Sequence, residues 1–265
     1  MLTLSNIGIT FNANTPDEKK VLHNINLKIN KGDFITVIGS NGAGKSTLYN
    51  VIAGTLKPST GTILLEGDDG SQKNITNDAE FKRARYIGRI FQNPRLGTAG
   101  KMSLEDNMMI CYKKGFKGLK ISLNNKMRDY FREQLKVLDM GLENRLGDNV
   151  DHFSGGQRQA LTLLMAVMSK PSLLLLDEHT AALDPTNAEI IMNLTRKFAQ
   201  DYNLTVMMVT HNMQHALDFG NRLIMMDKGE IISDIYGQEK KELTMDSIVE
   251  LFKKIKVNND NVLLN

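Results

Sequence analysis

Residues 34–47 read Phe-Ile-Thr-Val-Ile-Gly-Ser-Asn-Gly-Ala-Gly-Lys-Ser-Thr, and no other stretch limits the possible folds so tightly. An apolar, β-branched run from Phe34 to Ile38 reaches a glycine-rich loop. Leu48, Val51 and Ile52 then fall on one face of a helix. This is G-x-x-x-x-G-K-[ST] in its strand–loop–helix context. Gly39, Gly42 and Gly44, with Ser40, Asn41 and Ala43 between them, let backbone N–H groups approach an anion without a Cβ in the way. The helix starting near Lys45 aims its positive end at the same point. Lys45 adds a cation for β- and γ-phosphates, Ser46 offers a hydroxyl to Mg²⁺, and Thr47 completes the motif. A glycine-rich turn before an ordinary helix is the plainer reading, and the flanking pattern disfavours it.

The rest of the chain fits around that loop. Residues 2–11 alternate through Leu2, Leu4, Ile7, Ile9 and Phe11, and Val21 to Ile29 alternates again, so hairpin-like strands precede the loop. The helix after Lys45 stops near Gly54. Strands are predicted over Gly61–Gly67 and Tyr86–Phe91, the second delivering Gln92-Asn93-Pro94. From there to about Lys170 the texture turns helical, including Met127–Leu138, and residues 95–168 read as a helical subdomain inserted in an α/β core. Lys113, Lys114, Lys117 and Lys120, interleaved with Phe116, read as a solvated basic loop. Strand patterns return at Leu173–Leu176 and Thr205–Val209, with a helix over Glu189–Phe198 and a hairpin across Lys228-Gly229. Strands alternating with helices predict a mainly parallel sheet. An amphipathic helix carrying Ile248, Val249, Leu251, Phe252 and Ile255 closes the chain, and residues 258–265 are expected to fray. Residues 1–237 thus form the main domain, and 238–265 a short helix and tail.

Bulk properties exclude more than they assign. A 265-residue chain can bury a full core, and a formal net charge of +3 is weak evidence for a polyanionic partner. One cysteine, Cys111, rules out an internal disulfide or a cysteine-based metal cluster. The start, Met1 to Asn6, lacks the basic and apolar regions of a signal peptide. The longest apolar run, Ala160–Met168, is far short of the ~20 residues of a membrane span. If the protein works at a membrane, another chain must cross it.

Two more constellations carry chemistry. Leu173-Leu174-Leu175-Leu176-Asp177-Glu178 ends a wholly apolar strand in adjacent acids. Asp177 suits the Mg²⁺ shell, and Glu178 suits a base that orients and deprotonates water. Ser154-Gly155-Gly156-Gln157 reads as a capping box before an apolar helix. Two glycines in a first helical turn are costly. They make sense where something lies against bare backbone, which makes this helix end a second phosphate site.

With these residues in their order, the chain resembles the ATP-binding subunit of an ABC transporter along nearly its whole length. Phe-Ser-Gly-Gly-Gln (153–157) looks like that family's signature. The resemblance implies ATP and Mg²⁺ as ligands and a P-loop NTPase fold with an N-terminal antiparallel β-subdomain. It further implies a homodimer sandwiching two nucleotides, in which Ser154, Gly155, Gly156 and Gln157 of one subunit serve the ATP held by the other. Gln92 looks like the glutamine that senses Mg²⁺ and couples to the membrane partner, though a polar strand-end residue is the plainer local reading. Asp184 resembles the aspartate at the dimer seam and is locally an N-cap before Pro185. His211 resembles the histidine that contacts the γ-phosphate. Phe11 resembles the aromatic that stacks on adenine, or is a plain core residue. Integral membrane permease subunits and an extracytoplasmic substrate-binding protein are the implied partners, and the cytoplasmic face of the cell membrane the implied location. Two departures stand out. Phe153 replaces a usual leucine, and His179 follows Glu178 where proline is usual. With residues 38–42, the 177–185 string looks most like a bacterial importer subgroup associated with tryptophan/tyrosine-type or uncharacterised amino-acid uptake.

Other classes fit less well. A soluble relative acting on nucleic acid or ribosomes would be expected to carry a second cassette or sustained heptads, and neither is seen. A guanine-specific enzyme needs Asn-Lys-x-Asp, and Asn125-Lys126-Met127-Arg128 lacks the aspartate. His211 and His215 share a helical spacing but have no adjacent Glu and no third ligand, so a metal site there is rejected.

Overall fold

The computed structural model describes residues 1–67, 69–112 and 123–252. The lysine-rich stretch at 113–120, Ile255 and the tail at 258–265 lie outside them. In chain order the elements are β1 (Leu2–Phe11), β2 (Lys19–Ile29), β3 (Phe34–Gly39), α1 (Lys45–Ala53), β4 (Thr60–Glu66), β5 (Gln72–Asn74) and α2 (Glu80–Arg83). There follow β6 (Ile87–Ile90), α3 (Leu104–Tyr112), α4 (Asn125–Lys136), α5 (Gly155–Met168), β7 (Leu173–Asp177) and α6 (Pro185–Asp201). The last are β8 (Val206–Val209), α7 (Met213–Asp218), β9 (Arg222–Asp227), β10 (Glu230–Tyr236) and α8 (Gly237–Lys241), with residues 245–252 helical beyond them.

Two compact units emerge, one built from Met1–Arg83 and the chain from Thr205 onward, the other from Ala84–Leu204. The first holds an antiparallel sheet in the order β2-β1-β4-β5. Its inward residues Leu2, Leu4, Ile7 and Ile9 are buried, as strand alternation requires. The same unit runs β10-β9-β3-β8, with β3 parallel to both neighbours and β9–β10 an antiparallel hairpin. Lying inside that array, β3 buries consecutive residues from Ile35 to Ile38, which explains its unbroken apolar run. Ile38 packs with Ala216, Leu223, Met225, Ile235 and Ile248, so residues 245–252 dock on this core.

Helices dominate the second unit. β6 and β7 pair in parallel, and α5 buries every residue from Gln159 to Met165. Phe131 of α4 lies under Tyr112 in an edge-to-face contact.

Several boundaries differ from the sequence expectation. α6 starts at Pro185 rather than Glu189, because Asp184 caps it by accepting from Asn187 N at 3.1 Å. α4 ends at Lys136, short of the predicted Leu138, and β6 is trimmed to Ile87–Ile90.

Candidate active site

The phosphate loop lies in the first unit. α1 begins at Lys45 behind Gly44, which has φ 96° and supplies no side-chain cap; no acidic residue stands in the first turn. Its leading N–H groups are therefore left to an anion. Lys45 is buried, and its Nζ donates to Gly39 O at 2.8 Å and Ser40 O at 3.0 Å. Asn41, Gly42 and Ser46 face solvent, while Ala43 is buried and Thr47 half-buried.

The three loop glycines are not equivalent in what surrounds them. A Cβ on Gly39 would meet Met226 O at 2.3 Å, and one on Gly44 would meet the Leu22 side chain at 2.8 Å. These two are small because β9 and β2 press on the loop from behind. Gly42 has φ 82°, and a Cβ there would find no atom within 4 Å, so it is the one that opens outward. The loop is fastened further by Gly229 N donating to Ala43 O at 3.0 Å and Ser40 Oγ donating to Asp227 at 2.9 Å.

His211 sits exposed between β8 and α7, its neighbours pinned by Thr210 N to Val37 O and by Asn212, which caps α7. A cavity of about 360 Å³ beside it is lined by Ile38, Met213, Val249 and Phe252 along with Gly39 and Ser40. That lining is too apolar to seat phosphates. Phe11 lies exposed at the end of β1, opposite Lys19, so it is not the core residue of the alternative reading.

The remaining candidates belong to the second unit. Asp177 ends β7 and pairs with Arg89 of β6 at 3.0 Å, both side chains largely buried; the Arg89 guanidinium also lies over the Phe91 ring. Sequence reasoning missed Arg89, which is one more polar residue in a strand until β6 pairs with β7. Glu178 is half-buried with φ 48°, a left-handed conformation costing an L-residue about 1–2 kcal/mol. Gln92 is exposed just past β6, beside Asn93, which caps the following turn.

At α5 the capping box is complete: Ser154 Oγ accepts from Gln157 N at 3.2 Å, and Gln157 Oε1 accepts from Ser154 N at 3.1 Å. The serine proton is not consumed by that cap and remains able to donate. Here too the glycines divide. Gly155 has only Leu183 at 3.6 Å, but a Cβ on Gly156 would meet Asn187 Oδ1 at 2.4 Å. Gly156 is thus explained by packing against α6, and Gly155 alone presents open backbone. Asp184 is exposed, and hydrogen bonds from Asn187 hold its carboxyl below the usual range. Phe153 is buried under the Arg145 guanidinium, centred 4.5 Å from its ring, so the larger side chain is accommodated.

Taken residue by residue, the Ser46 hydroxyl of the first unit and the Gln92 amide oxygen and Asp177 carboxylate of the second are hard oxygens, the donor type that Mg²⁺ selects. The uncapped start of α1 fits a polyphosphate.

Comparison with known proteins accords with these features. The ABC transporter family profile matches residues 22–181. The tyrosine transport ATP-binding protein of Clostridioides difficile (strain R20291) is 41% identical over 96% of this chain and 99% of its own length. The choline transport ATP-binding protein OpuBA of Bacillus subtilis (strain 168) is 33% identical over 88% of this chain, which spans 56% of that longer protein. Among solved structures, the dimeric post-hydrolysis state of the ATP-binding cassette MJ0796 bound to ADP and Pi matches with TM-score 0.73 and 28% identity, over 89% of this chain and 98% of that one. Among the described residues no helix is long and apolar enough to cross a membrane. The chain belongs to the ATP-binding subunits of ABC transporters and is an ATPase of that family.

Proposed function

We propose that this subunit powers uptake of an amino acid, an aromatic one in the first instance. It would work as a homodimer around two ATP·Mg²⁺ on the cytoplasmic face of the membrane. Separate permease subunits and an extracytoplasmic substrate-binding protein complete the transporter. The substrate class leans on the 41% identity to a tyrosine transport subunit, matched over nearly its full length. The observation that carries the ATP-dependent pairing is the contrast between two helix starts. α1 begins uncapped, whereas α5 begins with a satisfied capping box that leaves one hydroxyl proton and the open Gly155 backbone facing outward. The first suits a subunit's own phosphates, the second those of its partner. In this reading residues 1–237 are the ATPase domain, with the helical part at about 95–168.

Within each subunit, the loop amides and Lys45 bind and orient the phosphates, and Phe11 stacks on adenine. Ser46 and Gln92 would ligate Mg²⁺ directly and Asp177 through water. When bound, Mg²⁺ neutralises charge on the β- and γ-phosphates. Glu178 takes the proton of the attacking water, and His211 orients the γ-phosphate. Asp184 lies at the dimer seam. Most of the acceleration comes from positioning and fixed electrostatics.

Glu178→Gln tests the scheme. Turnover should fall by about 10²–10⁴-fold, and ATP·Mg²⁺ should convert the variant to a dimer in light scattering after gel filtration. Parent-like turnover removes Glu178 as base; a monomer under those conditions removes the sandwich. Reconstitution with the permease that co-purifies with the chain, assayed for tyrosine uptake, tests the substrate class.

A further inference from the structure

We propose that Gln159, His179 and Thr195 form a buried clamp that holds Glu178 in its left-handed backbone conformation, and that the clamp governs the rate of hydrolysis rather than ATP affinity. The proposal rests on reading Glu178 as the base. At φ 48° the Glu178 backbone sits where L-residues resist staying, so its surroundings must hold it there. Relaxation would swing the carboxylate away from its water.

The next residue is held at both ends. His179 O accepts from Gln159 Nε2 at 2.5 Å, and its ring Nε2 lies 3.1 Å from Thr195 Oγ1. Thr195 spends its one hydroxyl proton on Ile191 O, at 2.8 Å. The proton between ring and hydroxyl must therefore belong to His179 Nε2, which fixes the tautomer on that side. All three side chains are buried, with relative exposures of 0% for Gln159 and 2% for His179 and Thr195, so water does not compete.

Gln159 does more than touch one carbonyl. The same Nε2 points to Phe91 O, 3.4 Å away, the residue before Gln92. The amide orientation is forced, since turning it over would set Oε1 against two carbonyl oxygens. Oε1 has no hydrogen-bond partner among the described residues. A buried orphan acceptor lowers stability, and its retention is intelligible if the donors on that amide hold something that must not move. One side chain of α5, in the helix that Ser154 caps, thus ties down the peptide after His179, one residue beyond Glu178, and the peptide before Gln92. None of the three residues needs to touch ATP, so they are positioning residues.

Thr195→Val removes the acceptor with little change of shape, while Thr195→Ser keeps it. In steady-state ATP hydrolysis by the purified chain, Val should lower kcat by about ten- to a hundredfold with KM for ATP unchanged, and Ser should recover most of the loss. A Val variant with parent kcat, a loss confined to KM, or equal losses in Val and Ser would each overturn the clamp. If Val does not fold, Gln159→Leu takes its place: it must lower kcat at constant KM, and an unchanged kcat refutes the proposal. Glu178→Gln assayed alongside separates the two readings. A dead Glu178→Gln with an unimpaired Thr195→Val sinks the clamp alone, whereas a live Glu178→Gln sinks the base assignment beneath it.

Discussion

Arg83 offers the sharpest quantitative test of what supports the phosphate loop. It is among the largest fully buried side chains, at 1% exposure, and its guanidinium is spent on backbone carbonyls. Nη1 donates to Val51 O at 2.7 Å and Ile52 O at 2.8 Å, Nη2 to Thr76 O at 2.9 Å, and Nε to Asp78 O at 3.0 Å. Two of those carbonyls belong to the last turn of α1, where the helix dipole is negative and a cation is favoured. Burial holds the guanidinium pKa below its ordinary value, the expected cost of withdrawing a charge from water. Gly54 closes α1 in the left-handed conformation, and a Cβ there would stand 2.9 Å from Arg83 Cδ, so the glycine and the arginine are chosen together. Arg83→Met keeps much of the stem but strands all four acceptors. Hydrogen bonds to charged groups contribute ~1.5–3 kcal/mol each, but they share one side chain, and removing the buried charge returns part of its desolvation cost. Buried carbonyls left without a donor cost about 1–3 kcal/mol each, and the returned desolvation offsets part of the sum, so the net loss is about 3–5 kcal/mol, or a fall in Tm of about 6–20 °C for a unit of this size. Arg83→Lys, with three donors and no planar fork, should fall between parent and Met. Urea melts without nucleotide measure the difference. A Met variant within about 1 kcal/mol of the parent would mean that water or a shifted chain satisfies those carbonyls, refuting the capping argument.

The glycines can be separated by the same melts together with ATP binding. Gly156→Ala should destabilise the nucleotide-free chain by about 1–3 kcal/mol through its clash with Asn187. Gly42→Ala meets no atom and should lower ATP affinity more than it lowers stability, beyond the ~1–2 kcal/mol of backbone strain at φ 82°. Comparable ATP losses in both would remove the distinction. His215 supplies a pH signature. Burial holds its imidazole below 6.5, against the opposing pull of Asp218, and its ring packs edge-on to Phe219. The unfolded chain therefore binds more protons in the window beneath pH 6.5, so this contribution to stability is full above that value and is lost as pH falls through the window. Urea melts from about pH 5 to 7.5 should show a shallower slope for His215→Gln; an unchanged slope counts against it.

What the sequence disclosed follows from how local each signal is. The run at 34–38, the alternation of β1 and β2 and the Ser154 capping box are short-range patterns, and they lie where expected. β5 carries three exposed residues and α2 has only four, too little for any period to show. Arg83 looks like surface charge because its partners are carbonyls, which no residue pattern encodes. Gln159 was hidden at the edge of an apolar helical run, and its importance lies in two peptide groups far along the chain. The glycines teach the same lesson. Their spacing announced a phosphate loop, but which of them faces outward depends on Met226 and Leu22.

That dependence has a consequence for synthesis. The loop from Gly39 to Lys45 leaves the ribosome long before Met226 O, which bounds Gly39, and Gly229, which bonds Ala43, are made. β3 must also wait for β8 and β9 to pair on either side, since parallel pairing needs the chain to travel out and return. A nascent chain therefore carries the binding motif without its mould through all the synthesis that separates β3 from β9, and acquires its finished loop only once the β9–β10 turn has cleared the exit tunnel.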